Sequence, residues 1–178
     1  MKEHGTMLEA HMKLQPVLIS EYSETFEMIV VQVRVEGREI RVITGYGPQE
    51  NLTADKTMPF LSKLEEEVVS AKLANKSIII QVDAYSKLGK HVIPKDPKEQ
   101  IPNGAVLADT IKRNALIVAN SLATKCSGVI TRSRITEGRV EESVIDFVII
   151  SADLLDDLDE LIIDEKGEHA LTKITHSK

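Results

Sequence analysis

Asp83 is the residue whose position most directly suggests chemistry. It ends Ser77-Ile-Ile-Ile-Gln-Val-Asp83, a continuous apolar run of the kind that forms a strand covered on both faces. A carboxylate at the end of such a strand lies at the rim of the sheet, where loops meet and sites are commonly built. Position alone equally supports an alternative, in which Asp83 caps the loop by accepting hydrogen bonds from backbone N–H groups.

Tyr46 is the second candidate, because it lies between Gly45 and Gly47 at the abrupt end of a predicted strand. Such a tyrosine is held clear of its neighbours and could present its hydroxyl to a ligand. Taken alone, the pattern favours the alternative, in which Tyr46 packs over the next helix.

Asp146 is the third candidate, within the apolar strand predicted over residues 144–151. An acidic side chain there is costly unless it is paired or hydrogen-bonded. One common role is to orient a histidine in an acid–base relay, and the alternative is a buried Asp bonded to backbone donors. None of the five histidines has metal-ligand spacing, and all are interpreted as surface residues; they are His4, His11, His91, His169 and His176.

The elements that position these residues include a β-hairpin. Alternating apolar and polar residues from Phe26 to Val35 predict one strand, Glu36-Gly37 a turn, and Glu39 to Thr44 the returning strand. A helix is predicted to begin near Pro59 and to end near Asn75. Its inward face is predicted to comprise Phe60, Leu61, Leu64, Val68 and Ala71, and its outward face Lys63, Glu66, Glu67 and Ser70.

Beyond that helix, residues 84–103 contain three prolines and predict a long loop that is functional or mobile. Asn103 is predicted to cap a helix that ends near Asn114. The first sixteen residues are consistent with either a helix or a strand. A helical turn is predicted near 152–157, an exposed turn at 137–138, and further strands near 17–20, 116–119, 129–134, 144–151, 161–164 and 170–175.

Composition limits the class of protein. The 178 residues suit one domain, and the net charge of −6 gives no overall signal of a nucleic-acid binder. Basic residues cluster locally at Lys125, Arg132, Arg134 and Arg139, which form either a basic patch or a solvated hairpin. The single Cys126 suits a reducing compartment, and no apolar run is long enough to span a membrane. These features predict an intracellular protein, cytoplasmic or nuclear.

Several segments occur in an order that resembles the endonuclease/exonuclease/phosphatase family, above all the endonuclease domains of non-LTR retrotransposons. The strand ending in Tyr46 and Pro48 resembles the family's strand that ends in Tyr and Pro. The run ending in Asp83-Ala-Tyr85 resembles its Gly-Asp-Phe-Asn motif. Residues 103–107 and 116–120 resemble the helix and strand that follow, and Ser143-Val-Ile-Asp-Phe147 resembles Ser-x-Ile-Asp-Tyr. The resemblance spans about residues 17 to 175, and the ordered set is more specific than any one motif.

The resemblance implies a four-layer α-β-β-α sandwich and Mg²⁺-dependent cleavage of DNA phosphodiesters by an activated water. Asp83 would help to activate the nucleophile, Tyr46 would contact the scissile phosphate, and Asp146 would orient the catalytic histidine. Tyr85 and Ser143, which lie in the same motifs, would contact the substrate.

The chain also departs from the family pattern. Tyr85 occupies the position of the motif's Asn, and the family's metal-binding Glu and terminal Ser-Asp-His lack counterparts, so we expect a domain shortened at both ends. Loss of one preorganised donor typically lowers a rate by about 10²–10³. The first hypothesis is therefore an endonuclease domain with impaired or absent catalysis.

Two further hypotheses come from other functional classes. The second is a binding or assembly module that kept the fold and forms a homodimer through exposed sheet edges. The third is an unrelated nucleotide-binding domain with Asp83 on a metal, which the absence of a phosphate-binding glycine motif disfavours.

Overall fold

The computed structural model describes residues 15–23, 26–48, 54–163 and 173–175, with side chains described to residue 163 and not for 54–56. The chain divides into two compact units between Tyr85 and Ser86. The prediction of a single domain is not tested by this division. Neither helix of the described chain is long and apolar enough to cross a bilayer.

The first unit contains a sheet and one helix. Its strand order is β1-β2-β3-β4, with antiparallel pairing of β1 with β2 and of β2 with β3, and parallel pairing of β3 with β4. Helix α1 supplies the crossover that a parallel pair needs. The elements are β1 (Val17–Tyr22), β2 (Glu27–Val35), β3 (Arg38–Tyr46), α1 (Ala54–Leu73) and β4 (Ser77–Asp83).

The β2–β3 hairpin confirms the prediction from alternating residues. Glu36 and Gly37 form its turn with φ values of 50° and 85°, and two consecutive positive φ angles suit the twist of a tight hairpin. Glycine accepts this conformation without steric cost. The register pairs Val35 with Arg38 and runs without interruption to Glu27 opposite Tyr46.

Helix α1 begins at Ala54, five residues before Pro59, which lies near the start of the helix as predicted. Pro59 is the sixth residue of the helix. The first N–H groups of a helix have no intrahelical acceptor, so a proline so close to the start removes a single backbone bond. The predicted inward face is confirmed, since its residues are all buried; they are Phe60, Leu61, Leu64, Val68 and Ala71.

Glu67 of α1 is buried, so the prediction that it faces solvent is wrong. Its Oε1 accepts hydrogen bonds from Ser20 Oγ and Tyr22 Oη, both at 3.0 Å. Arg41 Nη1 lies 3.6 Å from its Oε2, an ion pair without direct hydrogen-bond contact. These partners offset the cost of burying the charge and fasten β1 to the helix. The hydrophobic periodicity of a helix assigns a charged residue such as Glu67 to the solvent face, so it could not predict this burial.

The second unit contains helix α2 and three small groups of strands. Strand β9 pairs antiparallel with β5, β10 pairs with β6 and β11, and β7 pairs with β8 as a two-stranded ribbon. The elements are α2 (Pro102–Arg113), β5 (Leu116–Val118), β6 (Cys126–Ser127), β7 (Arg132–Thr136), β8 (Arg139–Ser143), β9 (Asp146–Ser151), β10 (Glu160–Ile162) and β11 (Lys173–Thr175).

One prediction in this unit is wrong, and one strand was not predicted. Ile101, not Asn103, precedes the first helical residue, and it makes no side-chain cap bond. Pro102 starts the helix instead, because its fixed φ suits the first helical position and no N–H is needed there. Strand β8 was not predicted, because Arg139–Ser143 is polar and carries no apolar alternation. The turn at Glu137 and Gly138 is confirmed, with φ values of 52° and 76°.

The long loop before α2 is confirmed, and several of its residues from 86 onward are buried. Leu88, Ile93 and Asp96 are almost fully buried. Asp96 Oδ2 accepts from Gly89 N at 3.2 Å, and its Oδ1 accepts from Lys98 N at 2.9 Å. Burial raises the pKa of Asp96, while these backbone hydrogen bonds lower it. The loop is thus held by a buried carboxylate at its centre.

Candidate functional site

Tyr46 and Asp83 end neighbouring parallel strands, and the structure brings them together. They are direct partners in the β3–β4 register. Gly47 N donates to Asp83 O at 2.7 Å, which continues the pairing one residue beyond β3. Because the carboxyl ends of two parallel strands meet at one edge of a sheet, both residues lie where active sites of α/β folds are commonly found.

Tyr85 completes this cluster. Its hydroxyl oxygen lies 2.6 Å from that of Tyr46, and either hydroxyl can be the donor. The two rings meet edge to face, with centroids 5.5 Å apart and an interplanar angle of 81°. Tyr85 N also donates to Asp83 Oδ1 at 3.3 Å. Asp83 therefore makes the loop-capping contact considered above while remaining beside both tyrosines.

The backbone of Tyr85 has a positive φ of 45°. Residues other than glycine rarely adopt this left-handed conformation, and asparagine adopts it more readily than tyrosine. Local strain of this kind concentrates at functional sites. Sequence reasoning had identified Tyr85 only by its place in a motif, and its contact with Tyr46 depends on the strand register.

Asp146 and Ser143 belong to the second unit. Ser143 is buried, and its carbonyl oxygen accepts from Thr131 N at 3.2 Å. Burial raises the pKa of Asp146, and a hydrogen bond with the Thr131 side chain and the charge of Arg132 lower it. The predicted carboxylate in an apolar strand thus has a polar partner, as its partial burial requires.

Sequence reasoning missed two side chains that fix the chain around Asp146. Thr131 Oγ1 accepts from Ile145 N at 2.9 Å and from Asp146 N at 3.1 Å. The Asn120 amide donates to Asp146 O at 3.1 Å and accepts from Val148 N at 2.8 Å. Asn120 could have been found as the polar residue that follows a predicted strand, whereas nothing in the local sequence marks Thr131.

The described residues include one histidine, His91, which is exposed as predicted. The other histidines lie outside the described residues. The proposed role of Asp146 in orienting a histidine therefore stays a prediction, and the structure gives Asp146 its contact with Thr131 instead.

Mg²⁺ prefers oxygen ligands in a near-octahedral arrangement and is usually held by one or two carboxylates. The cluster of Tyr46, Asp83 and Tyr85 offers one carboxylate, and that carboxylate already accepts a backbone hydrogen bond. In the described parts of the chain, no group of three or more His, Cys, Asp or Glu side chains could hold a metal ion. The single carboxylate of Asp83 could contribute one ligand to a magnesium site, and the described residues supply no cluster of acidic or histidine side chains that would complete it.

No protein-family model matches the sequence, and no curated protein matches it at a significant level. Among solved structures, the chain is similar to the endonuclease domain of TRAS1, a telomere-specific non-LTR retrotransposon. The TM-score is 0.61 at 22% identity, over 91% of this chain and 66% of that domain. The chain has the endonuclease/exonuclease/phosphatase fold.

A second structure supports this assignment of the fold. An endonuclease/exonuclease/phosphatase family protein from Leptotrichia buccalis matches with a TM-score of 0.52 at 14% identity, over 80% of this chain. The chain spans 66% of the TRAS1 domain and 48% of the bacterial protein. These similarities confirm the predicted fold class, α/β of the endonuclease/exonuclease/phosphatase type, and the resemblance on which it was based.

Proposed function

We propose that this endonuclease/exonuclease/phosphatase-type domain is related to DNA phosphodiesterases and that its cleavage activity is impaired. The observation that carries the proposal is the 2.6 Å contact between the hydroxyls of Tyr46 and Tyr85. By resemblance, Tyr46 would contact the phosphate and residue 85 would be an asparagine. Here a second aromatic side chain takes that position and engages the group that the substrate would need.

The number of hydrogen-bond donors at the two tyrosines supports impaired cleavage. Each tyrosine hydroxyl has one hydrogen to donate, and one of the two is committed within the pair. When Tyr46 is the donor, a phosphate oxygen arriving at its hydroxyl must compete with Tyr85 for that hydrogen. When Tyr85 is the donor, Tyr46 keeps its hydrogen, but the Tyr85 hydroxyl occupies the space 2.6 Å away. Tyr85 also lacks the amide of asparagine, which can donate and accept at once. Loss of a single preorganised donor commonly lowers catalysis by about 10²–10³-fold.

A plasmid-nicking assay tests this function directly. Supercoiled DNA is incubated with the protein and Mg²⁺ or Mn²⁺, alongside Asp83→Ala, after circular dichroism has shown that both proteins are folded. We expect no nicking above the Asp83→Ala background. Metal-dependent nicking that disappears in Asp83→Ala would refute the proposal. Tyr85→Asn is assayed in the same way, and a gain of nicking in that variant would assign the impairment to Tyr85.

A second candidate function, assembly into a homodimer, is supported by strand β1. In the described part of the sheet, β1 pairs on one side only, with β2. Val17, Leu18 and Ile19 are exposed to 57%, 59% and 42%, and no charge interrupts them. An exposed apolar edge strand is a template for pairing with another chain. An identical β1 in antiparallel orientation would complete the backbone hydrogen bonds and cover these side chains.

Light scattering tests the assembly. We expect a dimer at high protein concentration that Ile19→Lys dissociates, because a lysine on an edge strand opposes edge-to-edge pairing. Val69→Lys is the matched control, since Val69 on α1 is similarly exposed at 40%. A monomer at all concentrations, or equal effects of both lysines, would exclude pairing through β1.

A further inference from the structure

Gly45 and Gly47, which flank Tyr46, are explained by packing and not by backbone conformation. Neither has a positive φ, so other residues could adopt their backbone angles. What the two positions lack is space for a side chain. This separates them from Gly37, whose φ of 85° suits glycine and whose missing Cβ would meet nothing within 4 Å.

One aromatic ring fills the space beside both glycines. A Cβ on Gly45 would lie 3.1 Å from Cε2 of Phe60, and a Cβ on Gly47 would lie 3.2 Å from Cε1 of the same ring. Phe60 is fully buried, and Phe26 meets its ring edge to face at a centroid distance of 5.5 Å. Because close-packed interiors leave little room to shift, the ring cannot easily withdraw from the glycines.

The backbone encloses the same segment. A Cβ on Gly45 would lie 3.3 Å from Glu27 O, and a Cβ on Gly47 would lie 3.3 Å from Asp83 O and 3.2 Å from Ala84 O. Gly47 N donates to Asp83 O at 2.7 Å. The main chain of residues 45–47 is therefore held between the Phe60 ring and the backbone of its neighbours.

We propose that Phe60 is a positioning residue for Tyr46. Side chains alternate along a strand, so the face of β3 that meets Phe60 at Gly45 is opposite to the face that bears Tyr46. By fixing the backbone at residues 45–47, the ring determines where the Tyr46 hydroxyl lies and thus its 2.6 Å contact with Tyr85. This inference rests on the proposed function only in treating the two tyrosines as the site.

Tyrosine NMR can test the inference, because the chain has only three tyrosines and no tryptophan. With [4-¹³C]tyrosine, the Cζ resonance reports the hydrogen bonding of each hydroxyl, and Tyr→Phe variants assign the signals. We expect Phe60→Leu to shift the Tyr46 and Tyr85 resonances. Leu64→Ala is the control, since Leu64 is buried on the same helix but supplies none of the three atoms nearest to either glycine.

A second variant keeps the test decisive if Phe60→Leu does not fold. Gly45→Ala should shift the same two resonances, and the shift should be smaller when Phe60→Leu makes room for the new methyl group. If Gly45→Ala lowers stability as Leu64→Ala does but leaves the Tyr46 and Tyr85 resonances unmoved, with Phe60→Leu giving the same result where it folds, Phe60 is a core residue only. The readout is independent of cleavage, so nicking by the wild type would refute the proposed function without affecting this result.

Discussion

The hydroxyl oxygens of Tyr46 and Tyr85 lie 2.6 Å apart, so each tyrosine is a hydrogen-bond partner of the other. A buried or half-buried hydrogen bond contributes about 0.5–1.5 kcal/mol to the free energy of unfolding. We expect Tyr46→Phe and Tyr85→Phe each to lower stability by about that amount. The double variant should lose little more than either single variant, because the shared bond is lost only once.

Urea unfolding of the four proteins measures this coupling. Tyr22→Phe combined with Tyr85→Phe is the control pair, because the Tyr22 hydroxyl bonds to Glu67. The losses of stability in Tyr22→Phe and Tyr85→Phe should sum to the loss in their double variant. Additive losses for Tyr46→Phe and Tyr85→Phe would show that the contact contributes no coupling energy.

Glu67 and Glu66 offer a matched comparison on one helix. Glu67 is buried against Arg41, whereas Glu66 is exposed and pairs with Lys63 at the surface. Removing one partner of a buried ion pair leaves an uncompensated charge and costs about 3–5 kcal/mol. Glu67→Ala should approach that loss in urea unfolding, while Glu66→Ala should change stability by less than about 0.5 kcal/mol. Similar losses for both variants would contradict the role given to Glu67.

Asp146 should make stability depend on pH. Burial raises the pKa of its carboxyl above the ordinary value of 3.8, so the folded state favours the protonated form. The stability that this group contributes is fully present below pH 3.8 and is lost as the pH rises through the raised pKa. Asp146→Asn cannot ionise, so its stability relative to the wild type should increase between pH 3 and pH 7.

Unfolding curves at several pH values test this expectation, with Asp156→Asn as the control for removing an exposed charge from the same unit. The free energy of unfolding of Asp146→Asn minus that of the wild type should change with pH more than the corresponding difference for Asp156→Asn does. If the stability of Asp146→Asn relative to the wild type falls as the pH rises, the folded protein stabilises the charged carboxylate, contrary to this expectation.

Among the glycines that the structure describes, Gly104 is the one whose replacement should be least tolerated. A Cβ there would lie 1.8 Å from Lys87 O, far inside contact distance with the backbone of the loop. Overpacking typically costs about 1–3 kcal/mol, and a backbone clash leaves no flexible side chain to yield. Gly104→Ala should therefore lower the thermal midpoint and make residues 86–101 more susceptible to proteolysis. Ala105→Ser, at the exposed next position, should change neither.

The parts of the fold that follow from local rules could be predicted from the sequence. Alternating apolar and polar residues on either side of Glu36-Gly37 predict the β2–β3 hairpin. An uninterrupted apolar run predicts β4. Tyr46 and Asp83 could be identified as strand-end residues for the same reason. Each of these features depends on residues that are close in sequence.

Features that depend on distant partners could not be predicted. Glu67 has the polarity of a surface residue, and its burial becomes possible only because Ser20, Tyr22 and Arg41 meet it from other strands. The contact between Tyr46 and Tyr85 depends likewise on the register of β3 against β4. Thr131 Oγ1 accepts a hydrogen bond from the backbone N–H of Asp146, fifteen positions away in sequence, and no local sequence pattern predicts that contact.

The β7–β8 ribbon has a consequence for exchange of its backbone hydrogens. In the described part of the chain these two strands pair only with each other, and Ile135 and Val140, which face each other across the ribbon, are 79% and 65% exposed. A two-stranded hairpin without a covered face is marginally stable in water. Its amides should therefore exchange with deuterium through local opening, long before those of β2 and β3, which must await a much larger unfolding event.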